Sequence, residues 1–435
     1  MSTAHISGLT EAEAAGIQVF EKPAAGSWTQ ALGMSTGPVS FKDSYDEGFY
    51  QDEKEAVFRR NWLNIAHVNE LPRNGSYLVK ELKFLNVSVL VIRGMDGEIR
   101  AFHNLCSHRG NKLMWDSDPG KESRGVCRQI ACKYHGWRFD LEGEISYVHN
   151  APEFFDLEAE KLKLPAIHCE VWAGYIFINL LPEPLQTLRD FLGPDVVKLE
   201  TYPFEKMPRL YTFESEIDAN WKLFMDAFAE LYHIPYVHGK VTNNALPQTG
   251  VDKIPFMVPF FGAFGKHRLL TSAGRKGNLN VRARKALDAL FQANFIGTDH
   301  VPDVGSLGTG INPGGIDPWG VDSWQMYPNW VFIAWGSNYW YTYRYWPISA
   351  TRHKFEWTVS FTEPATIRER LAQEHALVMM REGVLQDANT LQATQQGLMS
   401  GARDDFYICD QEVAIRHLHE VVQADVAAYR AEKGR

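Results

Sequence analysis

Two short stretches pair a thiol with an imidazole: Cys106-Ser107-His108 and Cys132-Lys133-Tyr134-His135. Each offers one soft thiolate and one imidazole. Four such donors suit a tetrahedral zinc ion. They also suit a [2Fe–2S] cluster, with two Cys on one iron and two His on the other. Imidazole in place of thiolate raises the reduction potential of such a cluster, because a neutral ligand stabilises the reduced form.

A second set of donors lies in Asn220–His238. Glu230 and His233 are three residues apart, a spacing that places both on one helix face. His238 is five beyond His233, which in a straight helix would turn it roughly 140° away. Pro235 removes a backbone donor and bends a helix, and such a bend would bring both imidazoles onto one ion. The third donor is Asp387. Leu377, Met380, Val384, Asp387 and Leu391 form one apolar stripe at helical spacing, interrupted only by this carboxylate. A carboxylate on a buried face is costly unless it is paired or metal-bound. An Arg or Lys partner is the plain alternative; two His and one carboxylate are the facial triad of non-haem Fe(II).

The elements that must carry these donors are legible in outline. Residues 1–58 read as an arm, ending in a short helix over Glu53–Trp62. Residues 59–180 read as a compact antiparallel β domain, with strands at Ser76–Leu82, Val87–Arg93 and Val171–Leu180. Met95-Asp96-Gly97 and Leu141-Glu142-Gly143 supply its hairpin turns. Residues 181–435 are α+β in texture, with an antiparallel sheet and helices on one face. Their predicted elements are a strand over Tyr211–Ile217 and a helix over Asn220–Tyr232. Strands follow at Trp330–Trp335, Tyr339–Trp346 and Phe355–Phe361, then a long helix over Thr366–Ser400. The six Gly and three Pro of Asp299–Asp322 predict a long loop.

Composition narrows the field. With 435 residues and 45% hydrophobic content the chain can bury more than one core. The net charge of −9 argues against nucleic-acid binding, which needs a basic footprint. The one basic cluster, Arg275, Lys276, Arg282, Arg284 and Lys285, reads as a solvated surface or as a docking patch for an acidic redox partner. Five Cys in a chain this long do not form a secreted disulfide framework. No basic-then-apolar leader and no membrane-length apolar run is visible, which predicts a cytoplasmic protein without membrane attachment.

The flanks of the metal-type residues carry a family resemblance. Leu105-Cys106-Ser107-His108-Arg109-Gly110 and Cys132-Lys133-Tyr134-His135-Gly136-Trp137 resemble the two Rieske boxes of ring-hydroxylating oxygenases. The segment 220–238 is similar to the mononuclear-iron motif of Rieske non-haem iron oxygenase catalytic (alpha) subunits. Asp387, with Gln395 eight residues on, resembles the motif that supplies their third ligand. Tyr327-Pro328-Asn329 falls where such proteins start a central strand. The gap between the boxes is longer than in many members by the polar run Asp116–Arg124, read as a surface insertion. Cys127 reads as a small buried apolar residue, and Gly110 and Gly136 as points where backbone N–H groups reach the cluster sulfurs.

The resemblance implies a β Rieske domain and a catalytic domain of helix-grip type. It implies a Rieske [2Fe–2S] cluster on Cys106, His108, Cys132 and His135, and Fe(II) on His233, His238 and Asp387. O2 would be co-substrate, with electrons from NAD(P)H arriving through a reductase, directly or by way of a ferredoxin. Glu230 matches the family's bridging carboxylate, more often Asp, and would link His233 to His135 of the partner subunit. That bridge implies a head-to-tail ring, in the family a homotrimer, with or without a small beta subunit. Tyr232 and Asp226 complete the candidate catalytic side chains, and Ala227, Leu231, Ile234 and Leu377 match pocket positions. Phe256–Phe264 and the 299–322 loop are candidates for the pocket's roof or entrance. The expected reaction is hydroxylation, foremost dihydroxylation, of an aromatic or other largely apolar small molecule. The alternative is a monooxygenase or demethylase acting on an aromatic ether, amine, terpenoid or steroid. A Rieske electron carrier would need neither the second triad nor the domain that holds it.

Overall fold

The computed structural model describes residues 24–238, 258–273, 304–335 and 339–434. The chain divides into two compact units, Glu53–Phe191 and a discontinuous one made of the segment up to Asp52 together with Leu192 onward. The architecture is the α+β one expected. Among the described residues no helix is long and apolar enough to cross a membrane.

The smaller unit is built on a seven-stranded antiparallel sheet. Its spatial order is Leu63–His67, Tyr175–Asn179, Ala166–Trp172, Ile99–His103, Val87–Arg93, Ser76–Leu82 and Arg124–Val126. The run Val-Ser-Val-Leu-Val-Ile-Arg at 87–93 is β-branched and almost wholly buried, as an inner strand requires. Ser76–Leu82 and Val87–Arg93 fall where predicted. The single strand expected at Val171–Leu180 is instead a hairpin, because Ala173 and Gly174 both take positive φ and reverse the chain. A Cβ on Gly174 would lie 2.8 Å from His67 Nε2, so only glycine fits that turn.

A small three-stranded sheet, Ile130–Ala131, Arg138–Phe139 and Ile145–Tyr147, completes this unit. The run at Asp116–Arg124 is more than a surface loop. Glu122 pairs with Lys80 at 3.2 Å, Lys112 Nζ donates to the Pro119 carbonyl, and the chain then enters the edge strand Arg124–Val126. Cys127 packs beside the core that holds Cys106 and Cys132.

The larger unit holds a second seven-stranded antiparallel sheet. Arg209–Ile217 forms one edge; beside it lie Arg352–Phe361, Tyr339–Ser349, Trp330–Ala334, Trp319–Met326, His267–Ala273 and Phe260–Phe264. The predicted strands are all present, several with longer limits. The Gly/Pro-rich segment gives way to a strand at Trp319, so the 299–322 loop is shorter than predicted. Phe260–Phe264, part of the segment considered for the pocket's roof or entrance, is an edge strand. The basic cluster at 275–285, with residues 256–257 and 299–303, lies outside the described residues.

Three helices bear on the site. A short helix, Trp221–Ala227, starts at Asn220, whose side chain accepts the Lys222 N–H. The long helix, Ile367–Met399, starts at Thr366, whose hydroxyl accepts the Glu369 N–H. The C-terminal helix, Val413–Glu432, was not predicted. The described arm residues up to Asp52 belong to this unit, and residues 53–58 to the smaller one: Val39–Ser40 pairs with Asp405–Phe406, and Thr29 donates to Asp410. The predicted helix at Glu53–Trp62 begins earlier, at Glu47, and continues as a π-helical turn over Lys54–Arg59.

The short helix lies on the sheet through aromatic contacts. Phe224 meets Phe355 at 4.6 Å between ring centroids, and Phe228 meets Tyr343 at 4.4 Å. Phe224 is fully buried, and such burial contributes about 1.5–3 kcal/mol. This packing fixes the short helix on the sheet face.

Candidate metal centres

The two thiol–imidazole boxes form matched loops. The Cys106 N–H donates to the Asn111 carbonyl and the Cys132 N–H to the Trp137 carbonyl, both at 2.8 Å. Gly110 and Gly136 N–H groups close the turns onto the carbonyls of Cys106 and Cys132, both at 3.0 Å. Both glycines have φ above +70°, and that left-handed backbone is what requires them. Their N–H groups therefore do not serve the sulfurs, contrary to the expectation. The N–H groups of His108 and Arg109 reach Cys106 Sγ instead, and Asn111 Nδ2 lies 3.8 Å from Cys132 Sγ.

Cys106 and Cys132 are buried, and the rings of His108 and His135 stand 4.7 Å apart at the edge. His108 is stacked on Trp137, which holds its plane. Burial pushes the Cys106 thiol up to about 11. A thiolate there needs a cation to stabilise it, which suits a metal cluster. Trp115, just ahead of the insertion, braces the second loop. Lys133 Nζ bonds the carbonyl of Trp115 and sits 4.1 Å over its ring.

The second constellation is assembled differently from the helical geometry expected. The short helix ends at Ala227, so Glu230 and His233 share a turn and not a helix face. Pro235 does not bend a helix; it stands in the first turn of a separate one-turn helix, Ile234–Val237. Its fixed φ suits that position. His233 and His238 flank this single turn as its N-cap and C-cap. Their Nε2 atoms are 3.3 Å apart. Asp387 Oδ1, from the long helix, lies 2.9 Å from His238 Nε2 and 3.6 Å from His233 Nε2.

Hydrogen bonds on the far side of each ring assign the tautomers. His233 Nδ1 bonds Glu230 Oε1, and His238 Nδ1 bonds Gln386 Oε1 at 3.0 Å. With Nδ1 carrying the proton, each Nε2 can present its lone pair to a metal. Burial pushes His238 down, but its hydrogen bond to Asp387 and that carboxylate's charge outweigh burial and hold it above the ordinary value. A cation at the centre would replace that proton. The three side chains thus fit one ion.

The remaining predicted residues are placed as follows. Glu230 is buried and turns back on its own loop, accepting the N–H groups of Tyr232 and His233. Tyr232 contributes this backbone bond, while its ring is half exposed. Asp226 is bonded to His419 of the C-terminal helix at 3.1 Å and not to the triad. Leu231 packs into the core with Phe261 and Leu270. Ala227 and Ile234 are half-buried, and Leu377 is buried on the long helix that also carries Asp387.

Residues 204–428 match the family model described as "Ring hydroxylating alpha subunit (catalytic domain)", and residues 61–163 match "Rieske [2Fe-2S] domain". The chain belongs to the ring-hydroxylating oxygenase alpha-subunit family. Among curated relatives of this family member, the carnitine monooxygenase oxygenase subunit of Escherichia coli (strain K12) is 32% identical over 194 residues, 44% of this chain and 50% of that one. The glycine betaine monooxygenase oxygenase subunit of Chromohalobacter salexigens is 31% identical over 228 residues, 48% of this chain and 46% of that one. The matches thus span about half the length of these relatives.

The fold is shared more widely. A quaternary ammonium Rieske monooxygenase in complex with L-carnitine superposes with a TM-score of 0.66 at 21% identity, covering 89% of this chain and 95% of that one. Naphthalene 1,2-dioxygenase from Rhodococcus, bound to indole, gives a TM-score of 0.67 at 17% identity, covering 89% and 94%. The family's cofactors are a Rieske [2Fe–2S] cluster and a mononuclear non-haem iron, and the two donor sets fit them.

Sequence reasoning passed over Gln386 and His419 of this alpha subunit, and it named Gln395 without assigning it a contact. Gln386 orients His238, and its place next to Asp387 was the available signal. Gln395 accepts the Asn220 N–H at 2.7 Å and donates to the Ser44 carbonyl, which ties the long helix to the start of the short one. His419 lies on a helix that had not been predicted, so its burial had no reading.

Proposed function

We propose that this protein is the oxygenase component of a Rieske non-haem iron monooxygenase acting on a small amine or quaternary ammonium compound. The observation that carries this reading is the half-chain likeness to oxygenase subunits named for carnitine and glycine betaine. It favours the monooxygenase alternative over dihydroxylation of an aromatic compound.

Under this reading residues 59–180 carry the cluster and 181–435 the iron, with 1–58 as an arm on the latter. When bound, the two iron centres supply single-electron transfer and O2 activation. His233, His238 and Asp387 would hold the iron. Glu230 and Gln386 keep the imidazoles in register. The family resemblance supports a role for Glu230 as the link to His135 of the partner subunit in a head-to-tail homotrimer, with or without a small beta subunit. A reductase, with or without a ferredoxin, delivers electrons from NAD(P)H. Substrate R–H, O2, NAD(P)H and one proton give R–OH, water and NAD(P)+. Hydroxylation at a carbon next to nitrogen gives a carbinolamine, which breaks to an aldehyde and the smaller amine.

The test is turnover with a generic reductase on a panel of trimethylammonium compounds and aromatic hydrocarbons under 18O2. One labelled oxygen per product, with amine release, is expected. A cis-diol carrying two labels would overturn the monooxygenase reading.

A further inference from the structure

The larger unit holds a buried chain of charge behind the short helix. His419 Nδ1 lies 2.8 Å from Asp43 Oδ2, and its Nε2 lies 3.1 Å from Asp226 Oδ2. With a carboxylate at each ring nitrogen, both nitrogens carry protons and the ring is an imidazolium. All three residues are buried. Three segments distant in sequence meet here: the arm at Asp43, the short helix at Asp226 and the C-terminal helix at His419. Two further cations face the cluster. Lys222 lies within electrostatic reach of Asp43, and Arg268 within reach of Asp226.

Asp226 sits at the point where the short helix ends and the metal-binding turn begins. Its carbonyl accepts the Ala229 N–H at 2.9 Å, and Phe228 N–H donates to the Met225 carbonyl. The next carbonyl, of Phe228, is held from the sheet by Ser323 and Gln325, and Gln325 is itself held by Arg268. Glu230 and His233 follow directly. The first end of the short helix is held by Gln395 through Asn220, and Gln395 also reaches Ser44, next to Asp43. The helix is therefore clamped at both ends, with the arm residues 43–44 common to both clamps.

Stability alone does not account for an ion triad of this kind. Buried ion pairs are often replaceable by apolar residues with no loss of stability, because desolvation cancels much of the attraction. What such a group can provide is position. We propose that His419 is a positioning residue for the mononuclear iron site: through Asp226 it sets the end of the short helix, and so the approach of His233 to His238 and Asp387. This rests on the reading of that triad as the iron site, but not on any substrate.

The test uses the full-length protein with its cluster intact. The mononuclear iron is removed by chelation, and Fe(II) rebinding is measured by competition. His419→Gln is expected to weaken Fe(II) binding by ~10- to 100-fold, the range seen when a group behind a metal ligand is lost, with the visible spectrum of the cluster unchanged. Asp226→Asn is expected to have a similar effect, and the double variant little more than either alone. The control is Asp425→Asn. It removes a carboxylate on the same helix that holds Lys266 and Tyr327. It should lower Tm while leaving Fe(II) affinity at the wild-type value. Unchanged affinity in His419→Gln overturns the proposal. So does a loss of affinity that tracks Tm equally in His419→Gln and Asp425→Asn. If His419→Gln fails to fold, Asp43→Asn serves instead, since it keeps the bond to Asp226; a several-fold loss of affinity supports the proposal and none overturns it. If Asp387→Ala also binds Fe(II) normally, the iron-site reading fails, whatever His419 does.

Discussion

His238 Nε2 lies 2.9 Å from Asp387 Oδ1, although the two side chains come from a one-turn helix and from the middle of a long helix far along the chain. No local segment could arrange this pair. The short helix and the long helix must first be set against each other, which Gln395 does by bonding the Asn220 N–H.

The pair should be needed for one iron and not for the other two. Asp387→Ala is expected to lower iron from about three to about two per chain, with the Rieske spectrum intact. Metal analysis alongside the visible spectrum checks this. Full occupancy in the variant would remove Asp387 from the ligand set.

Glu230 bonds His233 Nδ1 and caps its own loop. Glu230→Gln keeps the size but removes the charge. Cluster spectrum and iron content should stay near wild type, while O2 uptake coupled to product falls by ~100-fold or more. Turnover at the wild-type rate would rule out a role for this carboxylate between the two centres.

Gln386 Oε1 is the acceptor that keeps His238 Nδ1 protonated and its Nε2 directed at Asp387 and the centre. Gln386→Leu preserves the bulk and removes the acceptor. Fe(II) affinity should drop ~10-fold, measured by competition against a chelator. Gln386→Glu, which retains an acceptor, should bind iron better than the Leu variant.

Stability should depend on pH through buried histidines. Burial pushes His417 down to about 3 and His353 down to about 4, so both stay neutral in the fold. In the unfolded chain they titrate near 6.5. Below that value the unfolded state binds more protons, and stability falls as pH drops from about 6.5 towards these folded values. His417 Nδ1 has no hydrogen-bond partner among the described residues, and His417→Leu should flatten this acid limb. His419 behaves oppositely. Burial pushes its pKa down, but Asp43 and Asp226 outweigh that and raise it to about 10. Its contribution is complete below about 6.5 and is lost as pH rises through 10. Tm profiles from pH 4 to 10 test both limbs, and a His417→Leu profile parallel to wild type would contradict the first.

Phe224 is fully buried and touches Phe355, Phe228 and His353. Phe224→Ala should cost about 3–5 kcal/mol, read as a lower denaturant midpoint with an unchanged slope. A cost below 1 kcal/mol would show that the short helix is not anchored through this ring.

Much of this was legible in the sequence. Thiol–imidazole pairs and a carboxylate on an apolar stripe announce metal chemistry, because few other settings tolerate those groups there. Strand runs such as Val87–Arg93 and the helix at 366–400 were readable because β-branched runs and capping residues act locally. The errors lie where local pattern competes with context. Asn220–Tyr232 has helical spacing throughout, yet the helix stops at Ala227, where the Phe228 carbonyl turns to Ser323 and Gln325 on the sheet.

The sequence by itself determined the donor set and the two kinds of centre, since ligand chemistry depends on residue type and short spacing. Tertiary structure alone decided how the donors meet. Asp387 reaches His238 only after two helices pack, and Asp43, His419 and Asp226 form one buried chain only because the arm and the C-terminal helix close on the same unit. Such contacts depend on burial and on the closure of long loops, and neither leaves a periodic trace in the chain.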